Sequence, residues 1–106
     1  MITDSDAERC LDFIRDNASK YAEAKAQTRQ LDHYRKIKRS DLFLKATGSV
    51  AEREAQAEVS PEYKEIVDGL AESEAIENKL KWQLMGAQAK LEAWRTMSAN
   101  YRKATS

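Results

Sequence analysis

Little in this chain can break a helix. It has three glycines and one proline in 106 residues, and no stretch is rich in Gly, Ser or Pro, so neither a flexible linker nor a loop-rich domain is encoded. A single cysteine, Cys10, excludes an intrachain disulfide framework and fits a reducing compartment. The single histidine, His33, lacks Cys or carboxylate partners at helical spacing that would make a metal site. No apolar run approaches the roughly 18 residues that a membrane span needs. The N-terminal Met1-Ile2-Thr3-Asp4-Ser5-Asp6 is acidic and polar, unlike a signal peptide. Formal net charge is zero, so no overall attraction to nucleic acid or an anionic membrane is expected. These absences describe a soluble, cytoplasmic protein that stays off the membrane.

Catalytic signatures are missing as well. There is no phosphate-cradling glycine loop and no nucleophile elbow. Cys10 has no second thiol and only the remote His33 as a base, which argues against a thiol nucleophile. Asp68, Glu72, Glu74 and Glu77 are close in sequence, but a carboxylate-bridged metal bundle also needs Glu-x-x-His, which does not occur. The expectation is a protein that is not an enzyme and holds no metal or cofactor.

What is present is periodicity. From Tyr63, alternating steps of three and four reach Ile66, Leu70, Ser73, Glu77, Leu80, Leu84, Ala87, Leu91, Trp94, Ser98 and Tyr101, apolar or aromatic except at Ser73, Glu77 and Ser98. A seam of that spacing predicts one long amphipathic helix, about 61–103, of a coiled-coil kind. Ser60 can cap it, Pro61 suits its first position, and Glu62 and Glu65 favour the positive end of its dipole. A first helix is predicted over about 6–46, with Ala7, Cys10, Leu11, Ile14, Ala18, Tyr21, Thr28, Leu31, Leu42 and Phe43 or Leu44 as its inward positions. That stripe is thin between Lys25 and Arg39. Gly48 supplies the stop. Ser49-Val50-Ala51-Glu52 spells a capping box for a short helix over about 50–59.

Charge is distributed in blocks. Residues 1–28 carry net −2, residues 29–46 net +4, residues 47–78 net −7 and residues 79–106 net +5. Folding back near Gly48 sets +4 beside −7 and −2 beside +5, which favours a single antiparallel helical-hairpin domain over residues 1–106. Two rods of this kind bury one stripe each and leave little core for the area they expose. The long helix carries a second stripe, Ala71, Ala75, Trp82, Met85, Ala89 and Ala93, turned away from the seam. Small residues with Trp and Met suit close packing against another chain, and the simplest assembly is a homodimer forming a four-helix bundle.

Two basic clusters admit a different function. His33-Tyr34-Arg35-Lys36-Ile37-Lys38-Arg39 could offer Arg35, Lys36, Lys38 and Arg39 to phosphates with an aromatic to stack. Arg95, Arg102 and Lys103, near Trp94 and Tyr101, could support it. The plainer reading is a solvated face pairing with the acidic block at 52–77, with Trp94 and Tyr101 in the seam. Glu77, acidic within the seam, is a candidate to pair with an Arg or Lys of the first helix or to specify register.

The segments Gly48-Ser49-Val50-Ala51-Glu52-Arg53-Glu54-Ala55, Ser60-Pro61-Glu62-Tyr63, Glu92-Ala93-Trp94-Arg95-Thr96 and Ala99-Asn100-Tyr101-Arg102 resemble small helical proteins of tailed bacteriophages and prophages. Such proteins tend to be encoded beside recombination or replication genes. The resemblance implies an accessory protein in DNA metabolism, working through contacts with a phage or host protein or weakly with nucleic acid. It implies no catalytic residues.

Overall fold

The computed structural model describes residues 1–105. They form three helices and no strand: α1 (Asp4–Lys45), α2 (Val50–Val59) and α3 (Pro61–Thr105). The expected all-α class and the three elements are therefore present. Packing divides the chain into two units, Met1–Ala22 with Asn78–Ser106, and Glu23–Glu77. Each contains a stretch of α1 against an antiparallel stretch of α3.

In the first unit α1 opens on a capping box that begins earlier than expected. The Asp6 amide donates to Thr3 Oγ1 (3.1 Å), and the Thr3 amide donates back to Asp6 Oδ2 (2.9 Å). The Thr3 backbone amide, then the Arg9 guanidinium and the Thr3 hydroxyl, hold the Asp6 carboxyl down at a pKa of about 2. Trp94 Nε1 donates to Asp4 Oδ1 (2.9 Å), tying the start of α1 to α3. Ala7, Leu84 and Leu91 are buried between the two segments.

The inward positions of α1 correct the sequence reading in detail. Leu11 and Ala18 are exposed, whereas Phe13, Ile14 and Asn17 are covered. An unbroken three-four spacing from Ala7 runs through Cys10, Ile14, Asn17, Tyr21, Ala24, Thr28, Leu31, Arg35, Lys38 and Leu42, none of them exposed. Leu11 and Ala18 fall one residue past that seam. Asn17 is tolerated there because its amide donates to Phe13 O (2.8 Å). On α3 every predicted seam residue from Tyr63 to Ser98 is covered. Tyr101 is 67% exposed, because Trp94 already meets the first residue of α1 and nothing of α1 lies opposite Tyr101.

The second unit is more polar. Thr28 Oγ1 and Ser73 Oγ lie 2.8 Å apart, with Ser73 buried. Thr28 gives its proton to Ala24 O (3.0 Å), which leaves Ser73 as the donor between the two hydroxyls. The thin middle of α1 stays helical because its seam uses Thr28, Arg35 and Lys38, whose polar ends all find partners. At the turn Gly48 has φ 113°, and a Cβ there would stand 2.5 Å from Glu52 Oε2. Ser49 Oγ accepts from the Glu52 amide (3.2 Å), as the capping box requires. Gln56 Nε2 donates to Thr47 O (2.8 Å), Arg53 Nε donates to Phe43 O (3.3 Å), and the Arg53 guanidinium lies over the Phe43 ring at 4.6 Å. These contacts answer carbonyls left open at the end of α1. Ala57 of α2 is the most deeply buried apolar residue. Between α2 and α3, the Ser60 carbonyl accepts from the Lys64 amide (3.0 Å), and the Ser60 hydroxyl makes no hydrogen bond among the described residues.

Gly48→Ala is expected to lower unfolding free energy by about 1–2 kcal/mol, since a side chain there is both strained and crowded. Gly69→Ala, in mid-helix with no heavy atom within 4 Å of the new Cβ, should raise it by about 0.5–1 kcal/mol. Urea titration reads both. Asp6, whose pKa is lower folded than unfolded, adds stability that is complete above its ordinary value of 3.8 and is lost as pH falls towards about 2. Asp6→Asn should remove that part of the acid transition; an unchanged acid midpoint in the variant would show that the cap does not contribute.

Candidate interaction surface

Trp82 is two residues from both Leu80 and Leu84. At about 100° per residue it lies on the far side of α3 from the seam. The same geometry carries Met85, Gly86, Ala89 and Ala93 outward. Trp82 is 65% exposed and Met85 44% exposed, and the three small residues are exposed with them. No side chain covers the Cα of Gly86. In the second unit Ala71 and Ala75 are also exposed. All six positions read as an interface therefore face outward. Ile76, not singled out from sequence, is exposed as well; it lies one residue beyond Ala75 and escaped notice because only the small-residue spacing was followed.

The energetic meaning of this face lies mainly in Trp82. An indole of roughly 200 Å², two-thirds bare, would gain about 3 kcal/mol from complete cover at about 25 cal/mol per Å². Its indole N–H makes no hydrogen bond among the described residues, unlike that of Trp94. Charged residues border the face. Lys79 makes no ion pair among the described residues, and Glu92 Oε1 pairs with Arg95 Nη1 at 2.8 Å on its own helix.

The basic run of α1 has a different character. Arg35 donates from Nε and Nη2 to Asp32 Oδ1 (3.1 and 2.9 Å) and from Nη1 to Tyr63 Oη (3.1 Å). Lys36 reaches Asp32 Oδ2 at 3.5 Å, Lys38 reaches Glu62 Oε2 at 2.6 Å, and Arg39 reaches Glu58 Oε1 at 2.8 Å. The Lys38 side chain is only 23% exposed. Each of the four cations thus has an acid of the same chain beside it. The hydrogen bond to Lys38 lowers the Glu62 pKa, and Glu62 in turn raises that of Lys38. Tyr63 first, then Asp32, raise the already high pKa of Arg35, and Arg35 lowers that of Asp32. Arg35, Lys36 and Arg39 do line one groove with Phe43, Leu44 and Glu54, so the fold brings three of the seven nucleic-acid candidates together. Lys38 lies apart from it, in the groove with Tyr34 and Glu62. Arg95, Arg102 and Lys103 belong to the other unit and are exposed.

The remaining candidates form no chemical constellation. His33 is exposed and Cys10 half-buried. Glu77 is half-buried in the seam and makes no ion pair with α1 among the described residues; the polar contact across the seam in that region is Thr28–Ser73. No three potential metal-ligating side chains gather among the described residues, and none of the helices described is long and apolar enough to cross a membrane. Compared with known proteins, the chain matches no family model, no curated protein and no solved structure.

Proposed function

We propose that the protein is a non-catalytic helical interaction module that associates through the outer face of α3, with a homodimer in a four-helix arrangement as its working form. The observation that carries this reading is the bare Trp82 beside Met85 on a helix whose other face is already filled. A large aromatic with its polar N–H unpartnered is the kind of anchor that dominates protein contacts.

The ion pairs of Arg35, Lys36, Lys38 and Arg39 support this reading over nucleic-acid binding. Each phosphate contact would first have to displace a carboxylate already in place. The resemblance to phage-encoded helical proteins suggests recombination or replication as the setting, with this chain acting through protein contacts.

Trp82→Glu is expected to reduce the mass in light scattering to that of one chain, while far-ultraviolet circular dichroism keeps its helical amplitude. An unchanged mass would remove Trp82 from the interface and the proposal with it.

A further inference from the structure

We infer that the partner seated on this face is a second copy of the chain, running antiparallel, with the two-fold axis passing between Met85 and Gly86. The inference rests on the association proposed above and specifies its register. Within residues 79–92 the face is complementary to itself when reversed. With the axis at that point, Trp82 of one copy lies over Ala89 of the other, and Met85 lies over Gly86. Lys79 comes beside Glu92, and each of these pairs occurs twice, as an isologous contact requires.

Three features single out this arrangement. The first is shape: the two large exposed side chains each meet a small one, and exposed Gly86 and Ala89 allow the helix axes the close approach, near 8 Å, of small-residue packings. The second is charge. Lys79, which makes no ion pair among the described residues, gains an acid, and Glu92 gains a second cation beside Arg95. A parallel pairing would set Trp82 on Trp82, Lys79 on Lys79 and Glu92 on Glu92, opposing bulk with bulk and like charge with like. The third is position. The like-charged Lys81 and Lys90 fall one residue from the seam residues Leu80 and Leu91, beside their own α1, where Lys90 acts on Asp6. They are turned away from the second copy.

The contact is short. The 14 residues from Lys79 to Glu92 span about 20 Å of helix, so the interface falls at the small, reversible end of specific contacts. The dimer should therefore be strongly dependent on concentration.

Disulfide trapping in the full chain carrying Cys10→Ser tests the register, with sedimentation run alongside on the unmodified protein. An equimolar mixture of Lys79→Cys and Glu92→Cys chains should give a cross-linked heterodimer under mild oxidation. Ala89→Cys alone should give none, since its two copies would be offset by about 10 Å along the helices. Charge reversal supplies a readout without thiols: Lys79→Glu or Glu92→Lys alone should weaken dimerisation by roughly fivefold, and the double reversal should restore it. A dimeric mass with Ala89→Cys cross-linking to itself, or single reversals that the double does not rescue, would overturn the antiparallel register while leaving association intact. A mass of one chain at every concentration would overturn both.

Discussion

Everything in this protein follows from one spacing kept without a break on both long helices. Alternating steps of three and four run from Ala7 to Leu42 on α1 and from Tyr63 to Ser98 on α3, and each residue so reached is covered. A repeat of seven residues in two turns is the condition for two helices to keep one face towards each other. Once those faces are used, the remaining surfaces of the helices are committed to water or to another molecule. The bare Trp82 is a direct consequence: it lies where the spacing leaves nothing of its own chain to meet it.

The two units satisfy that constraint with different chemistry. Around Met1–Ala22 and Asn78–Ser106 the covered positions are mainly apolar, with Ala7, Leu84 and Leu91 buried and the start of α1 fixed by the Thr3–Asp6 and Asp4–Trp94 contacts. In Glu23–Glu77 polar groups occupy seam positions, and each is answered: Thr28 by Ser73, Arg35 by Tyr63 and Asp32, Lys38 by Glu62. Individually such exposed ion pairs stabilise little. Their value is in specifying register, because sliding one helix by a turn would part Thr28 from Ser73, Arg35 from Tyr63 and Lys38 from Glu62 at once.

The long seam of α3 was legible from sequence because its residues are large and apolar at most positions, and both ends of α2 were legible because Gly48, Ser49, Ser60 and Pro61 have distinct backbone preferences. The middle of α1 was harder to read for a physical reason. Arg35 and Lys38 occupy seam positions with aliphatic stems and paired heads, and a count of apolar residues passes over them. Their charged heads meet Asp32 and Glu62, the second of these from the acidic block that the plainer reading set beside the basic run. At the opening cap Thr3 is an ordinary capping residue, and only the reciprocal bond went unread, because Asp6 fills the position where Glu or Gln is the familiar partner. The outward stripe was read correctly as a face, since facing depends only on helical period. What occupies that face depends on a second molecule, about which one chain's periodicity carries only the complementarity of its own large, small and charged positions.

On the proposal above, the seams fold the chain and the outer face of α3 joins two chains. Sedimentation equilibrium of the unmodified protein over roughly a hundredfold range of concentration tests it most directly, because association through so short a contact must follow mass action. The account predicts a mass that rises from that of one chain towards twice that value and stops there. A mass that stays at one chain throughout, or that continues to grow past two, would contradict it.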